Sequence, residues 1–386
     1  MKKRALIITI IVSIILIILL GITIIYQLIE GKTNNTNGNI QSGELENQQN
    51  ENLTENIENI ENINNSVQNN EIPVLNEIKE EPVNQEPTET STIAARYFYN
   101  QLDQYGKIIY NKLRQNKEKL KTGTYVFDYG TEFNTLLHSE KGEESLNTAF
   151  QSAWNAFLYD ENDLFYIDMK KMNLSKESHS LGEINTYYVS IGPGNNKNYL
   201  KENFQTQEQI QSAQKYIDNI LKQIKEQTKK DTNAQKAKKV HDWLISVIEY
   251  DTTEQNINKY DIYGALHDKK AVCEGYARSF KYIMEQIGVP CVMVAGTARN
   301  SQDTTEVHAW NYVQVDEKWY AVDVTWDDPV IVGEGILTEE QKHKYFLKGS
   351  AEFLENHTEG GILSDGSMKF TFPTLSETNY NINPAQ

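Results

Sequence analysis

From residue 31 to residue 92 the chain contains no Phe, Tyr or Trp, so any packed core must be built after about residue 92. That stretch is dominated by Asn, Glu and Gln, interrupted by Pro73, Pro82 and Pro87, and its twelve Glu oppose only Lys32 and Lys79. Such a composition cannot bury enough apolar surface to offset the entropy of ordering, and residues 27–92 read as a disordered acidic linker. At about 5–6 Å times the square root of its length it spans roughly 40–50 Å, more if its charges repel. All five tryptophans, Trp154, Trp243, Trp310, Trp319 and Trp326, lie beyond it. The linker also explains why hydrophobic residues reach only 39% of the chain, below the roughly 45–50% of ordinary globular proteins.

Ahead of the linker, Met1-Lys2-Lys3-Arg4 precedes 21 residues, Ala5 to Ile25, that are apolar apart from two Thr, one Ser and one Gly. At about 1.5 Å per residue in a helix this run crosses the roughly 30 Å hydrocarbon core of a bilayer. It is longer than the apolar region of a cleaved signal peptide, and no small-residue cleavage site follows it. The expectation is a single transmembrane anchor over residues 5–26. Residues 1–4 stay in the cytoplasm by the positive-inside rule, and the remainder lies outside the cell membrane. The net charge of −17 over 386 residues is spread without a basic stripe, which argues against nucleic acid as a partner.

Residues 93–230 read as an α+β cap region. Helical stripes run through Phe98, Leu102, Tyr105, Ile109 and Leu113, through Leu146, Phe150, Trp154 and Phe157, and through Ile210, Ala213, Ile217, Ile220 and Ile224. Residues 164–167 and 187–191 read as strands, the second stopped by Gly192-Pro193-Gly194. From residue 231 to 386 the pattern is that of a second domain. Asp231 is placed to cap a helix with core positions Ala237, Val240, Leu244 and Val247. Another helix opens at Cys273 and ends near Gly288 and Pro290, and strands follow at 291–298, 307–315 and 319–326.

The chain has only two cysteines, Cys273 and Cys291. One begins a helix and the other begins the following strand, so a helix length of about 22 Å separates them, far beyond disulfide reach. Cys273 therefore calls for a chemical explanation. At a helix N-terminus the macrodipole and free N–H groups favour a thiolate and can hold an oxyanion. A nucleophile also needs a base and a group that orients the base. If Asp316-Glu317 forms a two-residue turn, Val315 pairs with Lys318, His308 lies opposite Thr325, and Asp323 is the diagonal neighbour of His308 on the same face. A three-residue turn would send Asp323 to the other face.

The segments Asp242-Trp243-Leu244, Tyr250-Asp251, Ala271 to Ala277, His308-Ala309-Trp310-Asn311 and Trp319 to Pro329 resemble the transglutaminase-like core of bacterial surface proteins. The resemblance is strong over about 235–330 and weaker over 93–230. It implies a papain-like α+β fold in which a helix carrying the Cys packs on an antiparallel sheet carrying the His and Asp. By that similarity Cys273 is the nucleophile, His308 the general base and acid, and Asp323 the orienting carboxylate. The upstream tryptophan that helps hold the oxyanion in animal transglutaminases has no match. Tyr250 and His267 are candidate donors in its place, and Glu274, Trp310 and Trp326 are candidates for the cleft. No calcium loop is recognisable, Asp327-Asp328 reads as a turn before Pro329, and no metal or cofactor is expected. The implied chemistry is thiolate attack on an amide of a cell-surface protein or cell-wall peptide. An amine then resolves the thioester by acyl transfer, or water resolves it by hydrolysis. A cell-wall cysteine peptidase or amidase and a non-catalytic adhesion module are the alternatives.

Overall fold

The computed structural model describes residues 96–253, 255–329, 337–360 and 367–381. The expected anchor 5–26 and linker 27–92 lie outside the described residues. Among the described residues no helix is long and apolar enough to cross a membrane.

The first layer combines helices with a small sheet. Helix α1 (Gln104–Gln115) starts at Asp103, whose carboxylate accepts from the Gly106 amide at 2.7 Å, and buries Ile109, Tyr110 and Leu113. Phe98 and Leu102, expected on the same stripe, precede the helix and are buried beside it. Strand β1 (Phe127–Gly130) leads to the short α2 (Asn134–Leu137) and to α3 (Gly142–Asp160), which buries Leu146, Phe150, Trp154 and Phe157. Strands β2 (Asn173–Leu181) and β3 (Ile184–Gly192) form a hairpin, and the antiparallel order is β1-β3-β2. One expectation is corrected here, and one strand escapes the sequence pattern. Residues 164–167 are a buried turn rather than a strand, with only an isolated bridge from Ile167 to Leu200. Their apolar run reflects burial on every side. Strand β2, conversely, is solvated over most of its length and offers no alternation to read.

Two long helices connect this layer to the next. Both α4 (Gln207–Thr228) and α5 (Asn233–Val247) open with capping boxes, Thr206 with Gln209 and Thr232 with Gln235. Thr232 thus replaces Asp231 as the cap, because a hydroxyl followed three residues later by Gln can satisfy two amides. Asp231 instead pairs with Lys239 at 2.7 Å. Strand β4 (Glu249–Tyr250), helix α6 (Ile262–Leu266) and strand β5 (Lys270–Ala271) follow, with β4 and β5 paired in parallel.

Helix α7 (Cys273–Gln286) is the central element. It packs on an antiparallel sheet of β6 (Cys291–Arg299), β7 (Thr305–Val315), β8 (Lys318–Val322) and β9 (His357–Glu359), ordered β8-β7-β6-β9. Short helices α8 (Glu339–Lys342) and α9 (Ser350–Phe353) lie between β8 and β9 in sequence. The seam between helix and sheet narrows at two alanines: Ala277 of α7 meets Ala309 and Met293, with Cys273 and Tyr159 against them. Asn311 Nδ2 donates to the Ala277 carbonyl at 2.9 Å and locks the helix to the strand. One apolar core runs without interruption from Phe98 to Leu375. The fold is α+β.

Gly275 allows the loop before α7 to close over its first turn. A Cβ there would lie 2.5 Å from the Lys259 carbonyl and 2.8 Å from Ala271 Cβ. Gly275→Ala must push this backbone aside, and a loss of about 1–3 kcal/mol is expected in denaturant titration.

The two layers are also stitched by buried charge. Lys281, fully buried on α7, donates to Glu285 Oε1 at 2.6 Å and to the Asp160 carbonyl at 3.2 Å. The Asp160 carboxylate accepts from the Phe98 and Tyr99 amides and from the Tyr110 hydroxyl. Burial raises Glu285 to about 7 and Asp160 to about 6, against the pull of Lys281. The folded state therefore holds these protons to higher pH than the unfolded chain does. Their contribution is complete below the ordinary carboxylate range and is lost as pH rises through about 6–7. Melting should occur at higher temperature at about pH 5.5 than at about pH 8, and Glu285→Gln should narrow that difference.

Candidate functional site

Cys273 is the first residue of α7. Val272 before it offers no side-chain cap, so the first-turn amides of the helix face the region of the thiol. Both cysteines are free thiols, but Cys273 is partly exposed while Cys291 is buried, and burial pushes the Cys291 thiol well up. Beside Cys273 stands His308 on β7, with the thiol among the groups that act on its imidazole. Its Nε2 donates to Asp323 Oδ2 at 2.7 Å, which leaves Nδ1 for the thiol.

The hairpin that brings His308 and Asp323 together has the two-residue turn. Asp316 and Glu317 both have positive φ, 48° and 62°, and Val315 pairs with Lys318. The ladder stops earlier than expected, however. Strand β8 ends at Val322, residues 324–327 turn, and His308 pairs across β6 with Gly296 instead of facing Thr325. The reason is local. Asp323 Oδ1 accepts from the Thr325 and Trp326 amides, each at 3.1 Å, and this side-chain capping competes with the ladder. The turn leaves Oδ2 aimed at His308.

Burial opposes the charge on both partners, and their mutual attraction overcomes it. Asp323, fully buried, is held well below the usual carboxylate range by His308 and, further, by His357. His308 is pushed up to about 10, burial working against the shift and Asp323 and Cys273 working for it. Trp326 stacks on the His308 ring at 5.0 Å, and Trp310 lies 6.0 Å away on the strand.

The remaining candidates separate by their contacts. Tyr250 on β4 stacks 6.5 Å from Tyr276, and burial, then the neighbouring Cys273, raises its phenol. The Glu274 carboxylate is taken by Arg278 at 2.8 Å, and Arg278 also donates to the Leu158 carbonyl at 2.7 Å, tying α7 to α3. His267 stacks on Tyr263 at 4.3 Å, meets the edge of Tyr216 and bonds Asp268, a cluster that includes none of Cys273, His308 and Asp323. Asp327 does more than turn the chain: Oδ2 meets His241 Nε2 at 3.1 Å and Oδ1 accepts from the Tyr345 amide at 2.8 Å. Asp328 accepts from the Tyr276 hydroxyl at 2.7 Å.

Sequence reasoning does not find His357 on β9. Its Nε2 lies 3.2 Å from Asp323 Oδ2, the oxygen that His308 also uses. It sits in a three-residue strand within the polar run Glu355 to Glu359, where no periodicity marks it. Two groups among the described residues have donor atoms close enough for a cation, His241-Asp242-His343 and His308-Asp323-His357, within 4.8 Å in each case. In both groups the donors already hydrogen-bond to one another.

Residues 219–324, which span Cys273, His308 and Asp323, match the model of the transglutaminase-like superfamily. This segment is a transglutaminase-like domain. The chain is also 30% identical over 126 residues to kyphoscoliosis peptidase of Mus musculus, covering 30% of this chain. It is 28% identical over 137 residues to the Homo sapiens protein of that name, covering 33% of this chain. It spans about a fifth of the length of these curated relatives, 19% and 21%. The crystal structure of a TGase aligns with 48% of this chain and 52% of its own, at 16% identity and a TM-score of 0.28.

If His308 depends on Asp323 for its orientation, Asp323→Asn should disable the transglutaminase-like centre while sparing the fold. Peptide mass spectrometry after brief iodoacetamide treatment at about pH 7 should show Cys273 alkylated at least about tenfold more slowly in the variant. Cys291 should stay protected in both proteins.

Proposed function

We propose that the chain is an extracellular, membrane-anchored thiol enzyme that attacks amide bonds of proteins or peptides at the cell surface or cell wall. The observation that carries this reading is the His308 imidazole held by the Asp323 carboxylate at 2.7 Å, with Cys273 among the groups that act on it. In it, Cys273 passes its proton to His308, Sγ adds to the amide carbonyl and a tetrahedral oxyanion forms near the α7 amides. His308 delivers its proton to the departing amine, and a thioester to Cys273 remains. An amine or a water then attacks the thioester, with His308 accepting the proton of the incoming nucleophile. Asp323 keeps the imidazole oriented throughout and is not itself protonated. Tyr250, beside Cys273, is the candidate side-chain donor to the oxyanion.

Transfer and hydrolysis share all three residues, so the fate of the thioester depends on which nucleophile reaches it. Hydrolysis is supported by the peptidase name of the two curated relatives, transfer by the family of the domain. The apolar run at residues 5–26 supports the membrane location.

Incubating the full-length protein with a Gln-containing protein and a labelled primary amine tests the reading. Label incorporation that disappears in Cys273→Ala supports transfer. New peptide termini or ammonia without incorporation, again lost in Cys273→Ala, supports hydrolysis. Neither product, together with a Cys273 that is no more reactive than in the unfolded chain, would leave a non-catalytic adhesion module.

A further inference from the structure

We propose that His357 is a positioning residue of the Cys273–His308–Asp323 centre, fixing Asp323 Oδ2 in the orientation in which it meets His308. The inference rests on the catalytic reading above. Asp323 lies one residue beyond the end of β8, and its backbone is held there by the Tyr345 carbonyl and the Asp327 amide, which leaves the carboxylate to its own partners. Its carboxylate is held by four donors: the Thr325 and Trp326 amides on Oδ1, and His308 and His357 on Oδ2. The two amides grip a single oxygen and leave Oδ2 free to swing about that contact. His308 cannot fix it alone, because His308 takes its own orientation from this oxygen. His357 is the donor to Oδ2 that lies outside the reacting pair.

His357 is built to hold still. Its ring stacks on Phe353 at 3.9 Å with an interplanar angle of 18°. Trp310 packs edge-on at 5.0 Å, Trp326 lies at 4.7 Å, and the side chain is sealed from solvent. A histidine on this spot depends on β9 joining the sheet beside β6, where Ala298 pairs with His357 and Gly296 with Glu359. Gly296 permits that approach, since a Cβ there would lie 2.2 Å from the Thr358 carbonyl and 2.4 Å from Trp310. The same Gly296 pairs on its other side with His308. The two imidazoles thus come from the two strands that flank β6 and converge on one carboxylate oxygen.

The test uses the full-length protein as wild type, His357→Phe and His357→Gln. Phe fills the aromatic box without a donor, and Gln returns an N–H donor without the ring. The readouts are the melting temperature and the iodoacetamide alkylation rate of Cys273 at neutral pH, with the buried Cys291 reporting on the integrity of the fold. His357→Phe is expected to slow Cys273 by roughly ten- to hundred-fold, the worth of one hydrogen bond to a charged group. His357→Gln should recover most of the rate, with Cys291 protected in every protein. An unchanged Cys273 rate in a folded His357→Phe protein would overturn the inference. So would a His357→Gln protein as slow as His357→Phe, or Cys291 opening in both variants, since ring shape alone would then matter. A wild-type Cys273 no faster than in the unfolded chain would overturn the catalytic reading itself, and this inference with it.

Discussion

The site depends first on how closely α7 can lie on the sheet. A thiol at a helix terminus reaches an imidazole on a strand only if the residues between them are small. Ala277 on the helix and Ala309 on β7 leave that space, and the Asn311 amide closes the seam by donating to the Ala277 carbonyl. The same closeness shapes the other side of the helix start, where Gly275 admits the Lys259 backbone and so brings β5 and β4 alongside. Tyr250 stands beside Cys273 for that reason. The position of the Cys273 thiol follows from this packing.

Burying Asp323 completely would be costly for an isolated carboxylate, and the structure offsets the cost by saturating it with donors. The four hydrogen bonds keep it ionised, and that charge in turn keeps the His308 imidazole basic. The turn carrying Asp323 is secured from below by a second chain of polar groups. Asp327 holds His241 of α5, His241 meets Asp242, and Asp242 meets His343 just after α8. Two carboxylates one turn apart thus divide the work, one facing the reacting groups and one anchoring the turn to the helix behind it.

The N-terminal layer participates in this support. Arg278 reaches from α7 to the Leu158 carbonyl, and Lys281 reaches to the Asp160 carbonyl, so the helix bearing Cys273 is braced along two successive turns by the end of α3. A continuous apolar core joins the layers around these polar ties. The end of α3 is therefore part of what holds Cys273 at its place.

The elements that carry Cys273 and His308 were legible from local pattern, since each depends on short-range physics. Cys273 opens a helix because an amphipathic stripe begins there, and the turn at Asp316-Glu317 sets the hairpin register whatever surrounds it. The apolar stripes of α3, α4 and α7 were readable for the same reason. Tertiary structure decided the contacts between segments remote in sequence. It turned residues 164–167 into a buried bend and left β2 solvated, where burial and alternation no longer agree. It drew His267 into an aromatic cluster and brought His357, 34 residues beyond Asp323, onto the same carboxylate oxygen. No pattern along the chain marks such a residue, because its role comes from a strand pairing that only the closed sheet creates.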